Sequence, residues 1–205
     1  MRFANSDSRQ VTPALVTQTD PQRHPFLAEC AFHLAARRSV GGDVDIPAIA
    51  QLTSQRSPWF SAERLELTGE ESNEVSQLST RTLDAIRHWA ETGAPTEAPV
   101  WEPTFPGSGI IDSGIGDFQW GRCLWEFKAH MGGFRALDFR QLATYAALNW
   151  AAGRNDIVLF VLFNPRTGRM FDVGTADFAR AVSISTPDAL WAEVVSFTSA
   201  STVSQ

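Results

Sequence analysis

Lys128 is the only lysine among the chain's 17 basic residues, and it stands in the triplet Glu126-Phe127-Lys128. Side chains two residues apart on a β-strand project from the same face, so this carboxylate and this amine would lie side by side. Asp117 lies nine residues before Glu126, at the end of the glycine-rich run 114–116. Two acids that hold a divalent metal, with a lysine beside them, are suited to metal-assisted hydrolysis of a phosphodiester. The alternative interpretation is an ordinary ion pair on the surface of an edge strand.

Two neighbouring strands, 110–120 and 122–129, are predicted to position these groups, with Gly121 as the connection between them. On the second strand, alternation puts the Glu-x-Lys pair on a polar face and apolar side chains on a core face. Asp117 has the parity that faces Glu126, unless a bulge at the preceding glycines resets the register. We therefore expect the two carboxylates to converge within reach of a single ion.

The elements around this hairpin follow from hydrophobic periodicity. Apolar residues at helical spacing predict helices over 26–38, 46–55 and 70–92, the last being the longest. Residues 1–22 are polar and without pattern, which predicts a loosely ordered arm. The other predicted elements are a short strand at 100–105, a helix from 138 to about 152, a strand covered on both faces at 157–163, a strand near 170–173 and a helix at 187–197.

The bulk properties predict an ordinary globular protein. The chain has 205 residues, of which 43% are hydrophobic and 20% are charged. We expect one compact domain, in which an arm and helical region (1–94) packs on a core formed by 95–205. Neither a signal peptide nor a membrane span is apparent, which predicts a cytoplasmic protein without a membrane partner. Cys30 and Cys123 are too few for a disulfide framework or a four-cysteine metal site and are expected to be buried.

Charge is distributed unevenly within a net charge of −6. Residues 1–99 carry nine arginines and thirteen acids, whereas residues 100–180 carry eight basic and eight acidic residues. Since a metal would neutralise Asp117 and Glu126, the central segment becomes locally positive when metal is bound, and a nucleic-acid contact is expected there. The acidic first half is a candidate docking surface for a protein partner. The sequence leaves the choice between a monomer and a homo-oligomer open.

Three motifs follow one another in order: Gly-Ile-Gly-Asp ending at Asp117, Glu126-Phe127-Lys128, and the stretch Arg-Gln-Leu-Ala-Thr-Tyr at 140–145. Together they resemble the motifs of the PD-(D/E)XK nuclease superfamily. The last motif is similar to the RQLxxY helix of the RecB-like branch, and the chain looks like the small bacterial members of that branch. Each motif alone is weak, but three at the right spacing are specific.

The resemblance covers roughly residues 100–175 and implies a fold. That fold is α/β, with a restriction-endonuclease-like αβββαβ core, a mixed sheet flanked by helices, and an N-terminal helical elaboration. Gly116 stands where the superfamily name has proline, a position that is loose in the family. The cysteine cluster of the iron–sulfur members is missing, so that cofactor is not expected.

The resemblance also implies an activity, that of a divalent-metal-dependent nuclease. DNA is favoured over RNA as substrate, and endonuclease and exonuclease modes stay open. Asp117, Glu126 and the backbone carbonyl of Phe127 would ligate Mg²⁺ or Mn²⁺. Lys128 would orient and help deprotonate the attacking water, or neutralise the charge of the transition state. A role within a defence or repair assembly fits the acidic first half.

Two further residues are candidates for the same site. Gln141 is implied to reach toward the metal, although a capping pair Asp-x-x-Gln with Asp138 would also explain it. The family often supplies another acid from the leading helix, and Glu29 is the first candidate here. Its spacing to His33 and Arg37 is equally typical of a solvated helix face. The other candidates for that acid are Glu70, Glu71 and Glu74.

Nucleic-acid contacts are expected close to these groups. Arg135 and Arg140 are the candidates for phosphate contacts, and His130 is a loop residue next to Lys128. Trp120, near the hairpin tip, is the candidate for stacking on a base. The remaining tryptophans are mostly expected in the core: Trp59, Trp89, Trp101, Trp125, Trp150 and Trp191.

Two other functional classes compete with the nuclease. A catalytically silent subunit could keep this fold in order to bind nucleic acid or a protein partner. The intact Asp117, Glu126 and Lys128 weigh against it. A small-molecule hydrolase of the serine or cysteine type is disfavoured, because no Ser or Cys lies in a nucleophile-elbow motif.

Overall fold

The chain forms an α/β fold in which helices flank a mixed sheet, and the computed structural model describes residues 7–42, 44–182 and 186–200. The helices are α1 (His24–Ser39), α2 (Ile46–Arg56), α3 (Gly69–Ala90), α4 (Ala136–Ala151), α5 (Thr175–Val182) and α6 (Pro187–Ala200). The strands are β1 (Arg9–Gln10), β2 (Val100–Trp101), β3 (Thr104–Ser108), β4 (Ile111–Ile115), β5 (Phe118–Trp120), β6 (Cys123–Phe127), β7 (Leu159–Asn164) and β8 (Arg169–Gly174).

The main sheet has the strand order β1-β8-β7-β6-β5-β2, and β3 and β4 form a separate hairpin. β6 and β7 are parallel, with Glu126 opposite Leu162, and α4 is the crossover between them. The other neighbours in the sheet are antiparallel. The carboxyl ends of β6 and β7 therefore lie at the same edge, where polar side chains that follow the strands can meet.

Both faces of the sheet are covered by helices. Leu124 of β6 packs into a core with α4, α5 and α6, whereas its neighbour Trp125 packs on the opposite face against α3. A third cluster joins α1, α2 and α3. The sequence predicted a polar outer face for β6, but Leu124 and Glu126 on that face are both buried, because α4 packs over it.

The helices predicted over 26–38, 46–55 and 70–92 are confirmed within a few residues. The strongest local signal is at α3, where Thr68 and Glu71 form a reciprocal capping box. The hydroxyl of Thr68 accepts from the Glu71 N–H, and the Glu71 carboxylate accepts from the Thr68 N–H. The helices and strands predicted after residue 138 are also confirmed, with β7 shorter at its start than predicted.

The prediction of one strand over 110–120 is wrong. β4 pairs with β3 and β5 pairs with β6, so the two strands belong to different sheets, with Asp117 in the bend between them. Gly114 lies against the ring of Tyr145, where an added Cβ would come within 2.9 Å of ring carbons. This close approach requires glycine and lets β4 pass beside α4 before the chain turns into β5.

The described part of the predicted arm is fixed to the sheet rather than loose. β1 pairs with β8, and the Leu15 N–H donates to the Arg166 carbonyl at 2.7 Å. Further along, the hydroxyls of Thr17 and Thr19 donate to the carboxylate of Glu74. A polar sequence without periodicity gives no signal for such side-chain anchoring. Residues 1–6 of the arm lie outside the described residues.

Two surface features also differ from expectation. Trp59 was expected in the core but is 91% exposed, because Phe60 occupies the inward position of the same turn, packing against Phe26 at 5.5 Å between ring centroids. α5 was not predicted at all. Within the described ranges, no helix combines the length and apolarity that crossing a membrane would require.

Candidate metal and phosphodiester site

A pocket of about 240 Å³ opens beyond the carboxyl end of β6. Its walls include Glu29 of α1, Asp117 from the β4–β5 bend, Glu126 of β6, and Lys128 and Gln141 from the end of β6 and from α4. The structure therefore brings these candidate residues together. Four separate segments contribute them.

Two hydrogen bonds hold Asp117 in place, one to its side chain and one to its main chain. Its Oδ2 accepts a hydrogen bond from the Phe127 N–H at 2.7 Å, and its carbonyl accepts from the Glu102 N–H at 2.9 Å. Glu102 is the one described non-glycine residue with a positive φ, 52°. These contacts aim Asp117 at the end of β6, and its carboxyl group comes within hydrogen-bonding reach of that of Glu126.

The electrostatics of the two acids are unfavourable for ionisation. Burial raises the pKa of Asp117 above its ordinary value, although the charge of Lys128 opposes this rise. Burial, followed by the charge of Asp117, raises the pKa of Glu126 well above its ordinary value. The side chain of Glu126 is only 1% exposed, and apart from the neighbouring carboxyl group of Asp117 its Oε2 has no hydrogen-bond partner among the described residues. An orphaned buried carboxylate oxygen facing a pocket is free to bind a cation.

Lys128 lies at the centre of a short hydrogen-bond chain. Its Nζ donates to Oε1 of Glu126 at 2.8 Å and to Oε1 of Gln141 at 2.8 Å. Gln141 in turn donates from Nε2 to the hydroxyl of Tyr145 at 2.8 Å. Burial alone would lower the pKa of Lys128, but the charges of Glu126 and Asp117 outweigh it and raise that pKa, so the amine is held as an ammonium.

The capping explanation for Gln141 is wrong. Asp138 is the residue that caps α4, since its Oδ2 accepts from the Arg135 N–H at 2.7 Å. Gln141 lies one turn further and faces Lys128. Tyr145 was not recognised as a site residue, although the i,i+4 spacing of Gln141 and Tyr145 is the signal that places both on one helix face. Burial raises the pKa of Tyr145 to about 12, so its hydroxyl stays protonated.

Of the four candidate acids in the N-terminal half, Glu29 lies at the pocket and the three on α3 do not. Glu29 lies in the pocket with its side chain 42% exposed, and burial followed by the charge of Asp117 raises its pKa to about 6. Its predicted neighbour on a solvated face, His33, is buried. Glu71 and Glu74 are also buried, but they are paired with arginines away from the pocket. Glu70 is exposed on α3.

The candidate nucleic-acid contacts are only partly assembled. Arg135 and Arg140 are exposed at the start of α4, the helix that presents Gln141. His130 is half-buried, with Nε2 3.6 Å from Oδ2 of Asp138. Trp120 does not join the site, because it pairs with Cys123 at the opposite end of the hairpin. It donates from Nε1 to the Glu97 carbonyl and packs against Trp89.

The oxygen donors at this pocket are of the kind that Mg²⁺ prefers. Among residues 7–42, 44–182 and 186–200, no group of three or more His, Cys, Asp or Glu side chains is arranged to hold a metal ion. Two carboxylates with a backbone carbonyl are typical of Mg²⁺, which keeps several waters and binds through one or two carboxylates plus substrate phosphate.

Comparison of the chain with protein-family models and with curated protein sequences finds no match.

Proposed function

We propose that this protein is a divalent-metal-dependent nuclease with a restriction-endonuclease-like core, acting on DNA. The observation that carries the proposal is the buried pair Asp117 and Glu126, which faces a pocket with one carboxylate oxygen unpartnered and with the chain's only lysine alongside. In a simple structural ion pair, one ammonium would balance one carboxylate. Here a single ammonium stands against two carboxylates, so the site lacks one positive charge when both acids are ionised.

Asp117, Glu126 and the carbonyl of Phe127 would hold Mg²⁺ or Mn²⁺. The fit rests on the unpartnered Oε2 of Glu126 and on oxygen donors of the kind that hard cations prefer. When bound, such an ion polarises a phosphoryl oxygen and lowers the pKa of a bound water. Glu29, from the opposite wall, would take part through water, because a partly exposed carboxylate can accept from it.

Lys128 acts as a fixed positive charge and hydrogen-bond donor. Since neighbouring carboxylates raise its pKa, the ammonium form prevails at neutral pH, and stabilisation of developing phosphorane charge is favoured over proton abstraction. Gln141 and Glu126 together hold the ammonium, each accepting one of its hydrogen bonds. Tyr145 fixes the amide of Gln141, so that its oxygen points to Lys128.

The substrate backbone would approach over the start of α4. Arg135 and Arg140 are exposed there and can contact phosphates on either side of the scissile bond. His130, on the loop after Lys128, extends the same polar rim. Trp120 lies at the other end of the β5–β6 hairpin, so we do not assign it a stacking contact at this site.

The test is incubation of the purified protein with linear, circular and single-stranded DNA and with RNA, in Mn²⁺, Mg²⁺ or chelator. We expect cleavage of DNA that requires metal and is lost in Asp117→Asn. The matched control is Asp84→Asn, an exposed acid on α3 paired with Arg87. Binding of DNA without cleavage in either metal would replace the nuclease with the silent, nucleic-acid-binding subunit.

A further inference from the structure

A second buried ion pair lies behind the pocket. Nη2 of Arg166, in the turn between β7 and β8, lies 2.6 Å from Oε1 of Glu74 on α3, and the two side chains are 0% and 2% exposed. Glu74 is also an acceptor for Thr17 and Thr19 of the N-terminal arm. Although burial alone would raise it, these hydrogen bonds and Arg166 lower the pKa of Glu74 below its ordinary value. The pair is therefore fully charged.

Arg166 connects this pair to the segment that carries Lys128. Its Nε donates to the Ala129 carbonyl at 2.8 Å. On either side of that contact, the Lys128 N–H donates to the Phe163 carbonyl at 2.9 Å and the Asn164 amide donates to the His130 carbonyl at 2.7 Å. Three successive residues after the end of β6 are thus fixed by the end of β7 and the turn that follows it.

The contact cannot serve the substrate directly, because the Arg166 side chain has no exposed surface. An apolar side chain of similar size would fill the same space but could not donate to Ala129. A buried charge is costly unless it is paired and hydrogen-bonded. Glu74 supplies the opposite charge for Arg166, and the Ala129 carbonyl accepts the hydrogen bond from its Nε. The arrangement therefore keeps a side-chain donor for the Ala129 main-chain carbonyl in a place that water does not reach.

Building on the proposed function, we infer that Arg166, oriented by Glu74, is a positioning residue that sets the place of the Lys128 ammonium between Glu126 and Gln141. Lys128 lies just beyond the last residue of β6 and is bonded to β7 through its own N–H. The place of its ammonium therefore also depends on how the next residue, Ala129, is held by Arg166. Loss of the contact would let the ammonium drift while the acids and the metal ligands stay in place.

The chain supplies a matched pair of variants for the test. Glu74→Gln with Arg166→Met removes the pair without leaving an unpaired charge in the core. Glu71→Gln with Arg23→Met removes the neighbouring pair of α3, whose Nε–Oε1 distance is 3.0 Å, and leaves the partly exposed Glu63 and Arg64 without these partners. That second pair contacts neither Ala129 nor the pocket. Melting curves show whether the two double variants are folded and similarly destabilised.

In single-turnover cleavage, we expect the Arg166 double variant to lose about tenfold or more in the maximal cleavage rate constant at an unchanged half-saturating enzyme concentration, since misplacement by about 1 Å can cost on the order of a hundredfold. The Arg23 double variant should keep the wild-type rate constant at a temperature where both are folded. Equal losses in the two variants, or no loss in either, would overturn the inference.

A second readout does not depend on activity. Because Lys128 is the only lysine, labelling with ¹⁵N-lysine gives one Nζ resonance, which reports on its hydrogen bonds to Glu126 and Gln141. We expect that resonance to shift or broaden in the Arg166 double variant and to be unchanged in the Arg23 double variant. If the wild type cleaves nothing, the proposed function fails, but the resonance still decides the positioning role. An unchanged resonance in both variants overturns it.

Discussion

Two pairs of buried acids in this protein have opposite electrostatics. Glu71 and Glu74 on α3 are paired with arginines and hydrogen-bonded, and the pKa of each lies below its ordinary value even though burial alone would raise it. Asp117 and Glu126 are buried as well, but burial raises the pKa of both. Burial is common to the two pairs, so it does not distinguish a site from a structural support. The difference is the number of compensating partners.

An uncompensated pair of acids costs stability and persists only where the surrounding structure enforces it. Around Asp117 and Glu126 that enforcement comes from the Phe127 N–H, from Glu102 and from the helices on both sides. In the α3 networks each acid has an arginine as its counter-charge. Asp117 and Glu126 share the single ammonium of Lys128, which is why we propose the chemistry there.

The largest expected effect comes from matched amide substitutions in the two pairs. Glu74→Gln should lower the free energy of unfolding by about 3 kcal/mol or more, because Arg166 would be left buried without its counter-charge. Asp117→Asn should leave the metal-free protein as stable as wild type or more stable at neutral pH, because it keeps the acceptor for Phe127 and removes a repulsion. Urea unfolding measures both. Similar destabilisation by the two variants would erase the distinction between the pairs.

The next effect concerns the single lysine. Lys128→Arg should lose on the order of a hundredfold in cleavage rate, because the planar guanidinium cannot occupy the position of a compact ammonium between Glu126 and Gln141. Single-turnover kinetics and a melting curve are the measurements. Arg180→Lys, in an exposed pair with Asp177, is the reverse exchange and should change nothing. Near-wild-type cleavage by Lys128→Arg would reduce Lys128 to a structural partner of Glu126.

A divalent metal should stabilise the folded protein through Asp117 and Glu126, and not through Glu71 and Glu74. At a concentration about 100 times the dissociation constant, Mn²⁺ should add about 2.7 kcal/mol to the free energy of unfolding, because only the folded chain presents Asp117 with Glu126. Thermal unfolding with metal and with chelator checks this. Asp117→Asn should abolish the increase, whereas the Arg23 and Glu71 double variant should retain it. A full increase in Asp117→Asn would locate the metal elsewhere.

The smallest effect is a difference in pH dependence. In metal-free protein, Glu29 has a pKa of about 6 against its usual 4.5, so its contribution to stability is present below about 4.5 and is lost as the pH rises through 6. The raised pKa values of Asp117 and Glu126 act in the same direction. Burial lowers the pKa of His33, which acts in the opposite direction, so a comparison between variants is needed.

We therefore expect the wild type to lose more unfolding free energy than Asp117→Asn between about pH 4.5 and 7, because one of the repelling carboxyl groups is absent from the variant. The measurement is urea unfolding in chelator across that range. Asp84→Asn should follow the wild-type curve, since Asp84 is exposed. Parallel curves for Asp117→Asn and the wild type would show that the pocket acids do not repel each other.

Much of the fold could be predicted because its signals are local. The stripe of α3, its capping box and the turn at Gly121 each depend on residues within one element. The assignment of β4 and β5 to different sheets could not be predicted, because it depends on the approach of Gly114 to Tyr145 on a helix distant in sequence. The anchoring of Thr17 and Thr19 was missed for the same reason.

At the candidate site too, a contact within one element could be predicted from local spacing, whereas the contacts of Gln141 and Arg166 between elements could not. Glu126 and Lys128 share a local spacing, and their proximity followed from strand alternation. The role of Gln141 depended on which side of α4 faces β6, which a three-residue capping pattern could not decide. Arg166 gave no signal at all in the sequence, since an arginine after Asn-Pro reads as an exposed turn residue, whereas here it is buried.

The parts of the pocket are separated very unequally along the chain, and this has a consequence for folding kinetics. Asp117 and Glu126 are brought together by the β5–β6 hairpin, a local structure that forms in roughly microseconds in isolated peptides. Glu29 and Gln141 come from helices α1 and α4, and contacts at such sequence separation form slowly, because closing long loops costs entropy. During refolding, Asp117 and Glu126 should therefore come together early, and the hydrogen bond from Lys128 to Gln141 should form last. A partly folded molecule would carry the carboxylates without the geometry for cleavage.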